Sequence, residues 1–133
     1  MFRVSREIDF CYGHRLMDYP GKCCHLHGHN GKLLITIEAE RLDEQGMVLD
    51  FAEIKRVVLG WIDDHLDHRM ILRRDDPVVP MLQQLGEPMH LIDVNPTAEN
   101  IAKIVCDFAQ SKGFPVVEVR LWETPHCFAT YRP

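Results

Sequence analysis

The apolar residues of this chain repeat with two different periods, and the order in which those periods follow one another limits the folds open to it. At the N-terminus the period is two. Phe2, Val4, Ile8 and Phe10 fall on one side of an extended chain and Arg3, Ser5, Glu7 and Asp9 on the other, the pattern of a half-buried strand that Arg6 interrupts. Lys32 to Glu40 alternates again, with Leu33, Ile35, Ile37 and Ala39 in phase. Between them Tyr19 to Asn30, with Pro20, Gly21 and Gly28, reads as a loop, and Asp43-Glu44-Gln45-Gly46 reads as a turn. The period then lengthens. Asp50 is a candidate N-cap with Glu53 three residues on, as in a capping box, and Phe51, Ile54, Val58, Trp61, Ile62 and Leu66 follow helical spacing. Asp76-Pro77 opens a short helix with Val78, Met81, Leu82 and Leu85 on one side and Gly86 beyond its end. Asn95-Pro96-Thr97 opens a longer one that carries Ile101, Ile104, Val105, Phe108 and Ala109 ahead of Gly113. Val116 to Glu123 and His126 to Tyr131 return to strand character around a Thr124-Pro125 turn. This order predicts one α+β domain over residues 1–133. Its expected sheet is four-stranded and antiparallel, with two main helices on one face and a short extra helix.

Composition narrows the function. The chain has 133 residues, 46% hydrophobic and 26% charged, enough for a core and too apolar for disorder. A net charge of −5 and the lack of a basic run argue against nucleic acid as a partner. No apolar run approaches the ~20 residues that span a bilayer, so no membrane role is expected. The first residues, Met-Phe-Arg-Val-Ser-Arg-Glu, do not read as a signal peptide. A cytoplasmic location follows as an expectation, and there an odd number of cysteines reads as metal, catalytic or buried free thiols. Eight His and five Cys are the unusual entries.

The densest chemistry is Cys23-Cys24-His25-Leu26-His27-Gly28-His29. On an extended chain His27 and His29 project to the same side. His14 is in phase with Phe10 and Tyr12 if the first strand runs on, so it also points inward, where an imidazole without a partner is costly. Three neutral histidines without a fourth protein ligand describe an open zinc site. The ordinary alternative is a set of loop or hydrogen-bonded core histidines. Cys23 and Cys24 are further ligands, or one is a base and the other a bystander, since a thiolate is a competent general base. Cys11, Cys106 and Cys127 lie in apolar contexts and read as small core residues. Asp67-His68 makes sense as a pair just past a helix end, where the Asp orients the His; a solvated helix terminus is the alternative. Glu123 falls on the apolar face of its strand with Val117, Val119 and Leu121. Either an arginine pairs with it, or it receives a ligand with adjacent N–H donors.

Six segments in this order resemble the 6-pyruvoyltetrahydropterin synthase family: His14-Arg15-Leu16, Cys23 four before His27-Gly28-His29, Gly46-Met47-Val48-Leu49-Asp50-Phe51, Leu66-Asp67-His68, Pro96-Thr97-Ala98-Glu99-Asn100 and Trp122-Glu123-Thr124. The resemblance spans nearly the whole chain and is strongest to the branch that forms 6-carboxytetrahydropterin for queuosine synthesis. It implies a tunnelling fold (T-fold), a homo-oligomer of trimers stacked into hexamers, and sites between subunits. It implies a zinc-dependent lyase that takes the small-molecule pterin 7,8-dihydroneopterin triphosphate to 6-carboxytetrahydropterin, releasing acetaldehyde and triphosphate. It also implies the roles: Zn2+ on His14, His27 and His29; Cys23 as the catalytic base, with Asp67 and His68 relaying protons; Glu123 anchoring the pterin; Thr97 and Glu99 bordering its pocket. Elimination of triphosphate to 6-pyruvoyltetrahydropterin is the alternative within the family, and a non-enzymatic zinc- or pterin-binding protein the alternative outside it. Aldol-type cleavage goes in the family with a Glu near the Cys position, and no Glu lies between Gly13 and His29. Three departures stand out: Arg69-Met70-Ile71-Leu72 where the family has a segment ending Leu-Asn, the long stretch from Arg73 to Leu91, and a second thiol, Cys24, beside Cys23.

Overall fold

The computed structural model describes residues 1–133. It is a six-stranded mixed sheet in the order β4-β3-β1-β2-β5-β6. The strands are β1 (Phe2–His14), β2 (His27–Ala39), β3 (Arg69–Arg73), β4 (Met89–Ile92), β5 (Val116–Thr124) and β6 (Cys127–Tyr131). The expected four-stranded antiparallel sheet is therefore corrected. β1, β2, β5 and β6 are the four strands that alternation reveals, and neighbours among them pair antiparallel. β3 runs parallel to β1, and β4 parallel to β3. Both are hidden because they are too short to display a period: Met70-Ile71-Leu72 is a bare apolar run, and Met89-His90-Leu91-Ile92 has one polar residue, His90, too few to set an alternation.

β1 and β2 form the backbone of the sheet. They face each other from Phe2 opposite Ala39 to His14 opposite His27 without a slip. β2 thus starts earlier than its alternation suggests, and His27 and His29 sit on a strand instead of in a loop. Even-numbered residues of β1 (Ile8, Phe10, Tyr12) and odd-numbered residues of β2 (Leu33, Ile35, Ile37) are buried together with Val119 and Leu121 of β5.

Two helical elements cover that face. The first is continuous: α1 (Phe51–Ile54), a π-helical stretch (Lys55–Leu59) and α2 (Gly60–His65). Its buried residues Ile54, Val58, Ile62 and Leu66 recur every four positions. In a regular α-helix that spacing drifts by about 40° per step. The wider π turn takes up the drift and keeps the stripe on the sheet. The Asp50 side chain accepts from Ala52 N–H at 2.8 Å, so the cap is as expected. The box is not closed, because Glu53 turns outward to Arg56. The second element, α4 (Ala98–Ser111), is capped by Thr97 Oγ1 accepting from Asn100 N–H, and buries Ile101, Val105 and Ala109.

The short helix α3 (Val78–Gln84) forms where expected but not with the expected face. Met81 and Leu85 are 64% and 75% exposed, while Val79 is buried, outside the main core cluster. Asp76 holds the helix down. Its buried carboxylate accepts from Val78 N–H at 2.8 Å and from Arg15 Nε at 2.7 Å. Of the three cysteines expected in the core, only Cys106 is there; Cys11 is half-buried on the outer side of β1 and Cys127 is exposed on β6. The reason is position: Cys106 is on the inward stripe of α4, whereas Cys11 is out of phase with Phe10 and Tyr12.

Candidate metal centre and its two clefts

His14 ends β1, and His27 and His29 begin β2, so strand pairing alone brings the three together. His14 lies directly opposite His27, and Tyr12 opposite His29. Ring centroids are 4.5 Å apart for His14–His27, 5.1 Å for His14–His29 and 5.0 Å for His27–His29. One ligand atom from each falls within 4.8 Å of the others. The outer nitrogens of two rings are engaged: His14 Nδ1 with the Pro96 carbonyl at 2.6 Å, His27 Nδ1 with the His25 carbonyl at 2.7 Å. An Nδ1–H donated to a carbonyl leaves Nε2 as a lone pair. All three Nε2 atoms are buried and have no hydrogen-bond partner. Orphaned acceptors converging on one point are what a divalent ion satisfies, and imidazole suits zinc among others. Burial, together with the imidazoles of His27 and His29, holds His14 below its usual value, although the Pro96 carbonyl and Glu123 pull the other way. A neutral imidazole is the form a metal takes.

Glu123 faces the same cluster. It is half-buried, and its only hydrogen bond is from Tyr12 Oη, at 3.4 Å. No arginine or lysine pairs with it, so the ion-pair alternative for this residue falls away. Burial first, and the nearby carboxylate second, push the Tyr12 hydroxyl far up, so it stays a donor. Gly31 makes room for this arrangement: a Cβ there would stand 3.0 Å from the Tyr12 ring. Sequence reasoning placed Tyr12 inward but gave it no role. The in-phase series Tyr12, His14 on one strand and His29, Gly31 on the next was the available signal.

Two clefts flank the histidines. One, of about 290 Å³, is lined by His14, Cys23, Thr97, Glu99 and Glu123, with Phe128 at its edge. The structure thus gathers Cys23, Thr97, Glu99 and Glu123 beside His14, and Cys24 is not part of that lining. The loop carrying Cys23 is tied down by backbone and by Asn95: the Cys23 carbonyl accepts from Leu16 N–H at 2.8 Å, and Asn95 exchanges two hydrogen bonds with Met17. In the sequence Asn95 signals only a helix start. Its clamp joins segments far apart in sequence, and nothing local signals it.

Asp67 and His68 are elsewhere. They lie just past α2 and are pinned to β1: Asp67 Oδ1 accepts from Cys11 N–H at 2.9 Å, and His68 N–H donates to the Cys11 carbonyl at 2.7 Å. His68 Nδ1 meets Asp67 Oδ2 at 2.8 Å. Burial would raise the Asp67 carboxyl, but the Cys11 N–H and the His68 ring hold it below its ordinary value. His68 adopts φ +56°, a strained angle for a residue with a side chain, and its ring is 78% exposed. It lines the second cleft, about 610 Å³, with Cys11, His27, His29, Asn30 and Arg69. The oriented His-Asp pair is therefore real, but within one chain it opens into a different cleft from Cys23.

A family model described as 6-pyruvoyl tetrahydropterin synthase matches residues 3–133. The 6-carboxy-5,6,7,8-tetrahydropterin synthase of Rickettsia bellii is 40% identical over 135 residues, covering 96% of this chain and 98% of that protein. The protein of the same description from Haemophilus influenzae is 32% identical and covers 99% of each. Among solved structures, an uncharacterized protein of Wolinella succinogenes superposes with a TM-score of 0.83 at 29% identity, covering 98% of this chain and 97% of that one. The 6-pyruvoyl tetrahydropterin synthase of Caenorhabditis elegans gives 0.74 at 25% identity, covering 99% and 95%.

Proposed function

The chain belongs to the 6-pyruvoyl tetrahydropterin synthase family, and from that premise we propose that it is an enzyme that converts 7,8-dihydroneopterin triphosphate to 6-carboxy-5,6,7,8-tetrahydropterin, releasing acetaldehyde and triphosphate. The observation that carries the reading is the convergence of three orphaned Nε2 atoms on one another, two of them 3.8 Å from a half-buried carboxylate that has no cationic partner. A buried donor set and a lone carboxylate, side by side, suit a substrate with a hydroxylated side chain next to a ring rich in N–H donors.

His14, His27 and His29 would hold Zn2+, which when bound supplies Lewis-acid polarisation of the side-chain hydroxyls. Glu123 accepts from the pterin N–H groups, with the Tyr12 hydroxyl 3.4 Å from its carboxylate. Thr97 and Glu99 border the ring at the start of α4. Cys23 removes a proton from the side chain, with the loop that carries it held still by Asn95. His68, oriented by an ionised Asp67, relays that proton. Because His68 and Cys23 line separate clefts of one chain, the relay pair of one subunit serves the Cys23 cleft of another. That requirement supports a homo-oligomer, trimers stacked into hexamers, and the open outer edges of β4 and β6 suit such pairing. No helix is long and apolar enough to cross a membrane, and five free cysteines suit the cytoplasm.

The decisive experiment is a product assay with purified zinc-loaded protein and 7,8-dihydroneopterin triphosphate, read by mass. The expected products are the 6-carboxy pterin and acetaldehyde. A 6-pyruvoyl product moves the protein to the sister reaction, and no consumption of substrate refutes the enzymatic reading.

A further inference from the structure

Glu123 stands nearer the histidines than a group that only receives a substrate ring needs to. Its Oε1 is 3.8 Å from His14 Nε2 and its Oε2 is 3.8 Å from His29 Nε2. These separations are too long for hydrogen bonds. They are close to another length: in a tetrahedral zinc site, with bonds of about 2.0–2.2 Å, neighbouring ligand atoms lie about 3.3–3.6 Å apart. The carboxylate therefore sits just outside ligand spacing from two of the three imidazole nitrogens, and a small side-chain rotation closes the gap. Its other contacts do not hold it back, since Tyr12 Oη is a long 3.4 Å away and no cation pairs with it. The Tyr12 ring packs between Phe10 and the two imidazoles, at 5.3 Å from His14 and 5.7 Å from His29.

We propose that in the pterin-free enzyme Glu123 is the fourth ligand of the metal held by His14, His27 and His29, and that an incoming pterin draws the carboxylate off the metal onto its ring N–H groups. The inference rests on the three-histidine metal reading above and deepens it. Three imidazoles and one carboxylate fill a tetrahedral ion, so the resting site is closed to water and adventitious anions. The ring that carries the reacting side chain is also what opens the position for that side chain. One residue then couples recognition of the ring to exposure of the metal, and a ligand without the ring donors leaves the site shut.

The test uses zinc-loaded and cobalt(II)-substituted protein in its native assembly, with Glu123→Gln as the variant because it keeps the shape and removes the charge. X-ray absorption at the zinc edge is expected to find three imidazole nitrogens and one carboxylate oxygen in the wild type. Competition against a chromophoric chelator is expected to show at least ten-fold weaker zinc binding in the variant. Titrating 7,8-dihydroneopterin, which lacks the triphosphate, into the cobalt protein should shift the visible band of the wild type toward the spectrum that Glu123→Gln shows before any pterin is added. Equal zinc affinity in the two proteins, with no carboxylate at the wild-type metal, overturns the proposal and leaves Glu123 as a ring anchor alone. His27→Ala separates the premise: zinc lost from that variant upholds the three-histidine site, whereas zinc retained at full stoichiometry overturns the site itself.

Discussion

The central ribbon of β1, β2 and β5 and the appendage of β3, α3 and β4 are both parts of one sheet, yet they are held by different means. The ribbon is regular. β1 and β2 pair from end to end, and Leu33, Ile35 and Ile37 of β2 have no solvent exposure. β3 meets β1 only from Tyr12 to His14, and its helix leaves Met81 and Leu85 in solvent. The appendage adds a polar fastening to an apolar one: Ile71 of β3 and Ile92 of β4 join the core cluster, and Asp76, with its side chain fully buried, is set against Arg15 and the first turn of α3. The candidate ligands and Glu123 lie on the ribbon, where strand pairing fixes them. Asp67 and His68 lie at the seam between the two regions. Strand pairing thus fixes the candidate ligands, whereas the His68 ring at the seam is 78% exposed.

The comparison can be broken in several ways. The largest effect is expected on the ribbon side, at the thiol. Cys23→Ala should lower kcat/KM by roughly 10²- to 10⁴-fold, as for loss of a general base, while Cys24→Ala should change it only a few-fold. Steady-state kinetics on both variants decides, and the reverse ranking moves the base by one residue. Next comes the ribbon core. Ile35→Ala, fully buried on β2, should cost about 3–4 kcal/mol in urea denaturation. Leu85→Ala, on the appendage, should cost under about 0.5 kcal/mol, and a larger loss would mean that the exposed face of α3 is covered in the assembly.

Asp76→Asn is expected to fall between these, at about 2–3 kcal/mol, because the Arg15 guanidinium loses its charged partner. Its pH dependence is a sharper signature. Burial raises the Asp76 carboxyl, but Arg15 and the Val78 N–H outweigh it and hold the group below its ordinary value. A carboxyl depressed by folding stabilises the protein above its unfolded value near about 3.9 and stops doing so as pH falls through the folded value. The difference in stability between wild type and Asp76→Asn should therefore be full at pH 6 and shrink below about pH 4. A difference that stays constant between pH 6 and pH 3 would show that the ion pair does not fasten the appendage.

How much of this was legible depends on the range over which each interaction acts. The four antiparallel strands, both main helices and their caps at Asp50 and Thr97 are written locally, in alternation, helical spacing and capping side chains. So was the pairing of His27 with His29, since residues two apart on a strand share a face. β3 and β4 were not legible, because short strands that gain their stability from parallel neighbours need show no alternation of their own. Nor was the outward turn of Met81 and Leu85, because an apolar stripe on a seven-residue helix says nothing of what lies opposite.

The sequence by itself determined the chemistry present: three histidines, adjacent thiols, an Asp-His pair and a carboxylate on an apolar strand face, in an order that marks the family. Only the tertiary structure decided how they are grouped. It set His14 opposite His27 through the register of β1 on β2, chose Cys23 over Cys24 for the cleft, brought Glu123 against the imidazoles, tied Arg15 to Asp76, and sent His68 to the other side of the cluster. Those groupings depend on strand register and on hydrogen bonds between residues tens of positions apart, and no local pattern encodes a separation of that length.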